Sequence, residues 1–474
     1  MHAPSRPWIQ LLLIPAMLAM VLGTMAARAA PESGDPSVVI TDVTIVDVEA
    51  GRTVGPRTVV VKDGRIVSID APGVAHMGDS ARRIDGRGRY LMPGLMDMHV
   101  HLFNLSSHRP PNDWSFAMYV ANGVTGVRDM RSDAASMLLV KRWRAAVDNG
   151  QLVAPHIVAA GIAVYGKSPE GAAADVDAAA DAGADFIKVF SEVPATHWRA
   201  IMAEARARSL PVVGHVPASI TLLEAARAGQ RTGEHLTQVY EACSSAEART
   251  LAERKGLEGD ALMSGASAQE GEILEAFDQD VCRRTAKALA ATGQVQVPTL
   301  VLADEDAFAQ HNQPGDDSRW RLLRPDEQRR WQSFLGQYTK EDAGLAARRW
   351  PIARNIVSIL HQAGVPIMAG TDSPMPGVYP GYSLHEELQL LVASGLTPIE
   401  ALRTATLEPA RFLHIEGASG SVAVGKRADL VLLDADPTKD IGNTQRIRAV
   451  VLAGRLLERA ELDALINPAA KAPP

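Results

Sequence analysis

Residues 91–102 have the sequence LMPGLMDMHVHL, in which His99 and His101 stand two positions apart at the end of an apolar run. Successive side chains of a β-strand point to opposite faces, so residues two positions apart share a face. Both imidazoles can therefore face one metal ion. Because such a pair also occurs by chance at strand ends, the rest of the chain has to decide between the two interpretations.

Four later segments share one feature: each is a short apolar run that carries a side chain able to bind a metal ion. The segments are 184–190 (ADFIKVF), 211–216 (PVVGHV), 231–236 (RTGEHL) and 366–373 (PIMAGTDS), and they supply Lys188, His215, His235 and Asp372. A single His or Asp at a strand end is more often a structural group than a ligand. Five such segments in one chain favour one shared site.

The spacing of the apolar runs predicts the fold class. Eight runs recur, at 95–101, 123–130, 156–160, 184–190, 211–216, 231–236, 295–302 and 365–371. Stretches of helical composition lie between them, at 175–182, 197–209 and 220–228 among others. Alternating strands and helices predict an α/β fold, a (β/α)8 TIM-like barrel over residues 91–410. Catalytic groups of such barrels project from the C-terminal ends of the strands, where the candidate ligands fall.

The two ends of the chain have a different pattern. Residues 38–70 contain short alternating runs broken by glycine, and residues 425–433 and 447–457 resemble them. Neither end has enough strands to bury a face alone. We therefore expect residues 38–90 together with 411–463 to form one small β-sandwich, with Asp429 in a structural role.

The set of candidate ligands resembles the amidohydrolase superfamily, and within it the imidazolonepropionase-like and prolidase-like (Xaa-Pro dipeptidase-type) members with two metal ions. The resemblance covers nearly all of the chain after residue 29. It implies that His99, His101 and Asp372 hold the more deeply buried of the two ions. His215 and His235 would hold the second ion. Carbamylated Lys188 would bridge the two.

Lys188 distinguishes the subtypes, because an ammonium group cannot bind a cation. Burial and nearby divalent ions lower the pKa of a lysine, and the neutral amine can then take up carbon dioxide as a carbamate. The alternative is an ordinary lysine paired with Asp185 or Glu192. Mononuclear deaminases of the superfamily place an acidic residue soon after the His of the fifth strand. Here residues 216–219 are VPAS, so deamination becomes a minor alternative.

The predicted chemistry is hydrolysis of an amide C–N bond in a small substrate, such as a dipeptide or an N-acyl amino acid. Four imidazoles with carboxylate-type oxygen suit Zn²⁺ best, with Mn²⁺ or Co²⁺ as alternatives. The resemblance implies attack by a hydroxide that bridges the ions, with Asp372 as the acid/base. A lactonase, esterase or phosphotriesterase on the same site is an alternative. A metal-binding protein without turnover is a third hypothesis. The presence of Asp372 as a general base disfavours it, because such a protein does not need one.

Candidate substrate contacts follow three of the predicted strands. Arg128 and Arg131 follow the second, Tyr165 and Lys167 the third, and Tyr240 the sixth. For each of them the more common interpretation is an ordinary surface residue or one that supports the site without contacting substrate. We expect residues 240–292 and 303–356 to be long loops over the barrel mouth. The first of these contains both cysteines, Cys243 and Cys282, which an oxidising compartment would allow to pair.

The beginning of the chain predicts export. Arg6 precedes the apolar stretch 8–23, and Ala27-Arg28-Ala29 follows, so we expect a signal peptide over residues 1–29 with cleavage after Ala29. The alternative is an uncleaved anchor, although the stretch is short and contains Pro15. The protein would then be periplasmic or secreted, without a stable membrane anchor.

The net charge of the chain indicates which classes of partner it can bind. The net charge is −7, and removal of Arg6 and Arg28 gives −7 − 2 = −9. No concentrated basic patch is present to neutralise phosphates, which argues against nucleic acid as a partner. The expected partner is a small-molecule substrate, and the sequence leaves a homo-oligomer open.

Overall fold

A computed structural model describes residues 37–73, 81–103, 110–308, 314–337 and 339–467. The predicted signal peptide lies outside these residues. In the part of the chain that is described, no helix combines the length and the apolar character needed to cross a bilayer.

Fifteen strands occur in the described residues. In chain order they are β1 (Val38–Asp47), β2 (Arg52–Lys62), β3 (Arg65–Asp70), β4 (Arg82–Asp85), β5 (Tyr90–Pro93), β6 (Leu95–Val100), β7 (Val124–Ser132), β8 (His156–Ala163), β9 (Phe186–Val189), β10 (Val212–Gly214), β11 (Thr232–Glu234), β12 (Val295–Val297), β13 (Leu430–Leu433), β14 (Ile447–Leu452) and β15 (Arg455–Glu458).

Sixteen α-helices occur in the same residues. In chain order they are α1 (Phe116–Ala121), α2 (Ala134–Asp148), α3 (Pro169–Ala182), α4 (Ala195–Ala207), α5 (Leu222–Ala228), α6 (Val239–Ala242), α7 (Glu247–Glu253), α8 (Gly259–Glu275), α9 (Gln279–Ala290), α10 (Leu300–Phe308), α11 (Pro325–Leu335), α12 (Lys340–Gln362), α13 (Tyr382–Ala393), α14 (Pro398–Thr404), α15 (Leu407–Phe412) and α16 (Arg459–Ile466).

One mixed sheet of eight strands joins the two ends of the chain. Its order is β15-β14-β13-β5-β1-β2-β3, and β4 also pairs with β1. Strand β13 runs antiparallel to β5, whereas β4 and β5 run parallel to β1. Side chains from both ends of the chain share one apolar core, to which Ile40, Val61, Leu430 and Val451 contribute.

The remaining strands are parallel and carry the site. Strands β6 to β10 form one sheet in sequence order, and β11 pairs with β12. The backbone N–H of Arg231 donates to Val212 across 2.7 Å and links β10 to β11. Seven of the eight predicted segments therefore contain a parallel strand, and these strands succeed one another along the chain.

The eighth predicted segment, 365–371, is not a regular strand. It makes one isolated parallel bridge, from Ile367 to Gln296, and Ser373 just beyond it bridges Val100 of β6. Pro366 has no N–H to donate, and the N–H of Thr371 donates to the Asp97 side chain at 3.0 Å. A Cβ on Gly370 would lie 2.9 Å from the Cβ of His99, so glycine permits this close approach.

Two predictions about the later segments are wrong. The run 295–302 is not one strand, because β12 ends before Pro298 and helix α10 begins at Leu300. At the start of that helix, the side chain of Glu387 accepts from the N–H of Val301 at 2.8 Å. The expected long loops are largely helical: 240–292 contains most of α6 and all of α7 to α9, and 303–356 contains most of α10 and α12 and all of α11. Helix α9 begins at a cap, since Asp278 accepts from the N–H groups of Asp280 and Val281.

Two links hold parts of the chain together. Cys243 and Cys282 form a disulfide with 4.0 Å between their Cα atoms, which ties the end of α6 to α9. Asp429 accepts from the N–H of Ala453 at 2.8 Å and lies 3.3 Å from Nε2 of His156, at the start of β8. Asp429 therefore has structural contacts that connect the mixed sheet to the parallel strands.

Candidate metal centre and the cavity beside it

Three predicted ligands converge where β6 meets the segment 366–373. Nε2 of His101 lies 2.7 Å from Oδ1 of Asp372, and Nε2 of His99 lies 3.2 Å from the same oxygen. The three ligand atoms all lie within 4.8 Å of one another. Asp372 has a φ of 67°, in the left-handed region that few non-glycine residues adopt, and such strained residues are common at functional sites.

The other two histidines adjoin this group. The ring centroid of His235 lies 4.5 Å from that of His99 and 4.9 Å from that of His215. Each ring is held through Nδ1: His215 contacts the Ser191 hydroxyl at 2.9 Å, and His235 contacts the Thr299 hydroxyl at 2.7 Å. Nε2 of each ring is thus the nitrogen left for a ligand.

Lys188 lies in β9 and is fully buried. Its Nζ has no hydrogen-bond partner among the described residues and lies 4.8 Å from the centroid of the Phe190 ring. Burial lowers the pKa of Lys188 to about 8. The alternative pairing with Asp185 is absent from the structure, since that carboxylate binds Arg144 at 2.7 Å.

Burial also controls the protonation of the histidines. It lowers the pKa of His235 to about 3 and that of His215 well below its ordinary value. Burial opposes ionisation of Asp372, but the neighbouring imidazoles outweigh it and lower the pKa of Asp372 well below its usual range. At neutral pH His215 and His235 therefore offer imidazole lone pairs, and Asp372 offers a carboxylate.

A second layer of buried polar groups, which the sequence reasoning missed, holds His99. Oε2 of Glu234 lies 2.9 Å from Nδ1 of His99, and Oε1 accepts from Arg128 at 2.9 Å. Burial by itself would raise the pKa of Glu234. The guanidinium of Arg128 and the hydrogen bond to His99 together outweigh burial, so the pKa of Glu234 lies below its usual value. The available signal was a glutamate inside a short buried strand, next to His235.

Asp97 supports the same region from β6. Its carboxylate accepts from the N–H of His99 at 3.2 Å and from the hydroxyl of Thr371 at 2.6 Å. Burial raises the pKa of Asp97 to about 7. Asp97 therefore fixes the backbone of both ligand-bearing segments, and the signal for it was a charged residue within the apolar run that opened the sequence argument.

The five predicted substrate contacts are not all brought together. Arg128 is fully buried and contacts Glu234 and the carbonyl of Met98. Arg131 lies with its guanidinium 5.3 Å from the Phe190 ring, and Tyr165 stacks on the same ring at 5.3 Å. Lys167 is exposed. Tyr240 alone of the five lines the cavity described next.

A cavity of about 350 Å³ adjoins His235. Its walls come from the ends of the parallel strands, from α6, from α8 and from α12. The residues that line it are Ser191, Ala218, His235, Thr237, Gln238, Tyr240, Glu241, Met263, Ala266, Ser267, Glu270, Ile273, Leu274 and Arg349. One candidate ligand thus borders a space of the size that small-molecule sites occupy.

The donor set fits divalent metal ions. Imidazole nitrogen and carboxylate oxygen are ligands that zinc and related ions prefer. The fit rests on two observations: ligand atoms of His99, His101 and Asp372 converge, and the buried Nζ of Lys188 has no partner in the described structure. Second-layer contacts to Nδ1, as made by Glu234 to His99, are typical of metal-binding histidines.

Comparison with known proteins identifies the family of the chain. The model of the amidohydrolase family matches residues 90–457. An adenine deaminase from Klebsiella pneumoniae is 25% identical over 95% of this chain, and the match spans 60% of that protein's length.

Two solved structures share the fold. A Xaa-Pro dipeptidase with bound methionine in the active site has a TM-score of 0.62 and 20% identity, over 89% of this chain and 100% of that chain. The bottromycin amidohydrolase has a TM-score of 0.66 and 23% identity, over 92% of this chain and 91% of that chain. These likenesses indicate a TIM-like barrel fold. Because the family model covers most of the sequence, the resemblance inferred from the ligand set is confirmed, and this chain belongs to the amidohydrolase family.

Proposed function

We propose that this protein is an exported, binuclear metal-dependent hydrolase that cleaves the amide bond of a small substrate, a dipeptide or an N-acyl amino acid. One observation carries the proposal: His99, His101 and Asp372 converge, and the rings of His235 and His215 adjoin them in tilted and edge-to-face contacts. Family membership and the fold-level likeness to a Xaa-Pro dipeptidase support it.

The residues would divide the work as follows. His99, His101 and Asp372 would hold one ion, His215 and His235 the other, and Lys188 would bridge them as a carbamate. The ions, Zn²⁺ or alternatively Mn²⁺ or Co²⁺, would supply Lewis acidity and lower the pKa of a water molecule. Glu234 and Asp97 would orient His99, since both contact it and both are buried.

Asp372 would move the proton. Its low pKa keeps it ionised at neutral pH, and a positioned carboxylate can accept a proton from the attacking water and return it to the leaving nitrogen. Water adds to the carbonyl carbon, the C–N bond breaks, and the products are a carboxylic acid and an amine. Tyr240 lines the adjacent cavity and would contact the substrate.

The fold that carries this chemistry would be a (β/α)8 barrel over residues 91–410, closed by the segment 366–373. In support, the N–H of Met98 donates to Ala369 at 3.0 Å and the N–H of Asp372 donates to His99 at 2.7 Å. Residues 38–90 and 411–463 would form a β-sandwich, because the two halves of the mixed sheet share one apolar core. Export rests on the sequence of residues 1–29.

Three other functions are the alternatives. The match to an adenine deaminase over 95% of the chain favours deamination as the second candidate. Lactones or phosphotriesters could react at the same site. A metal-binding protein without turnover would have no use for the proton transfer by Asp372.

The test is turnover by the metal-loaded mature protein on dipeptides, N-acyl amino acids, an aryl ester, a lactone, a phosphotriester and adenine. Amide hydrolysis should exceed the others. Asp372→Asn should lower kcat on the best amide by about 10² to 10⁴, the contribution of general acid/base groups, and metal content should fall far less. Asp434→Asn, in an ion pair of the mixed sheet, is the control. Wild-type kcat in Asp372→Asn would contradict the proposal.

A further inference from the structure

The cavity beside His235 is lined both by residues next to the candidate metal centre and by α8. Ser191 and His235 come from the ends of the parallel strands, and Ser191 also contacts His215. Helix α8 contributes Met263, Ala266 and Leu274, among others. A substrate whose scissile bond lies at the candidate metal centre would therefore place one of its substituents against α8.

The wall facing that substituent is largely apolar. Tyr240, Met263, Ala266, Ile273 and Leu274 line it. Ile273 and Leu274 are almost completely buried, so they present a fixed surface, whereas Met263 is 37% exposed and lies at the margin.

The charges of the lining are paired. Glu270 binds Arg349 at 3.0 Å. Glu241 accepts from the amide of Gln238 at 3.0 Å and has the buried Arg254 guanidinium at 3.6 Å. Each carboxylate of the wall thus has a cationic partner, and a cationic substituent would have to compete with it.

We propose that this cavity binds an apolar substituent of the substrate, such as a leucine or methionine side chain. The volume of about 350 Å³ lies within the range of about 300–1,000 Å³ for pockets that hold whole small molecules, so such a side chain can be accommodated in it. This inference rests on the proposed amide hydrolysis and narrows its substrate class: amides with a medium-sized, uncharged, apolar side chain on one side of the scissile bond.

The experiment uses the Zn²⁺-loaded mature protein and matched dipeptides in which Leu, Lys, Glu or Gly occupies one position and Gly the other. Leu should exceed Gly, Lys and Glu at one position by at least about 10- to 200-fold in kcat/KM, because a single methylene in an apolar pocket is worth that much. Ala266→Trp should narrow the cavity and lower the Leu-to-Gly ratio of kcat/KM towards one. The matched control is Ala268→Trp, on the same helix at an exposed position outside the lining.

Two outcomes would overturn the inference. One is an unchanged Leu-to-Gly ratio in a folded, metal-loaded Ala266→Trp variant, and the other is a wild-type preference for Lys or Glu. Calorimetric titration with free leucine, lysine and glycine separates this inference from the proposed function. Absence of amide hydrolysis, with leucine binding that Ala266→Trp abolishes, would refute the hydrolase and keep the apolar cavity. Absence of leucine binding with intact dipeptide hydrolysis would do the reverse.

Discussion

The candidate metal centre and the helical segment from α6 to α9 border the same cavity but are held in different ways. The centre gathers side chains that are up to 273 residues apart, from His99 to Asp372, and fixes them through buried hydrogen bonds. The segment from α6 to α9 is continuous in sequence, and the disulfide between Cys243 and Cys282 links residues only 39 positions apart. Its polar contacts are largely half-exposed ion pairs such as Arg348–Glu275.

This difference separates reactivity from selectivity. Strand ends cannot move without breaking the parallel ladder, so the groups that would perform chemistry are fixed by the fold as a whole. The wall formed by α8 lies outside the parallel ladder, and several of its ion pairs are screened by solvent, so its side chains can be substituted without disturbing the strands. Substitutions at the centre should therefore affect all substrates, whereas substitutions on α8 should affect some of them.

The largest effect is expected for His99→Ala. His99 contacts Asp372, Glu234 and the ring of His235. Its loss therefore removes a proposed ligand, and Oε2 of buried Glu234 loses its contact with the imidazole. We expect nearly complete loss of activity on every substrate and loss of one of two bound ions, measured by metal analysis. His385→Gln is the control, because that buried histidine contacts Thr444 and Asn122 instead. Two bound ions and full activity in His99→Ala would refute the ligand assignment.

Lys188→Ala should lose activity and bind less metal, because the proposed carbamate could no longer form. A short carboxylic acid such as propionate, added with metal, should restore part of the activity by occupying the vacated space. Lys188→Met is the matched control: its side chain also lacks the amine but fills the space, so propionate should not restore it. Unchanged metal stoichiometry in Lys188→Ala would show that the buried lysine is structural.

Glu234→Gln tests the second layer with a smaller expected effect. Loss of the charged acceptor behind His99 should weaken metal binding by about 10- to 100-fold, measured by competition with a chelator. The substitution also leaves Arg128 as a buried charge without its partner, which lowers stability by itself. The double variant Arg128→Met/Glu234→Gln removes that charge. It should regain stability and keep the weak metal binding; metal affinity that recovers with stability would argue against positioning.

The same contrast explains what the sequence could predict. The convergence of the candidate ligands could be predicted because period-2 strands place His99 and His101 on one face, and because apolar runs mark the strand ends that carry the others. Glu234 and Asp97 could not be assigned a role, since the sequence does not show which buried acid meets which histidine. Arg128 was expected to contact substrate, but a guanidinium in a strand has no visible partner until β11 lies beside it.

The segment 240–292 was misjudged for a different reason. Its predicted role over the barrel mouth came from its length, and length alone does not distinguish a loop from short helices. The capping Asp278 and the absence of proline from residues 240–292 were the local signals of helix. The residues that face the cavity, such as Ile273 and Leu274, depend on how α8 packs against α12. That packing depends on tertiary contacts that no local pattern encodes.

The smallest effect is expected for the ion pair between Arg349 and Glu270, which joins α12 to α8 at the cavity. Their side chains are 26% and 28% exposed, so solvent screens the attraction and the two long side chains lose conformational freedom. A double-mutant cycle with Arg349→Gln and Glu270→Gln should give a coupling energy below about 1 kcal/mol in the free energy of unfolding. The cycle isolates the pair from other contacts of Arg349. In kcat/KM, Leu-containing dipeptides should change more than Gly-Gly. A coupling of several kcal/mol, or equal losses on both substrates, would show that α8 is held as rigidly as the strand ends and that reactivity and selectivity are not separable here.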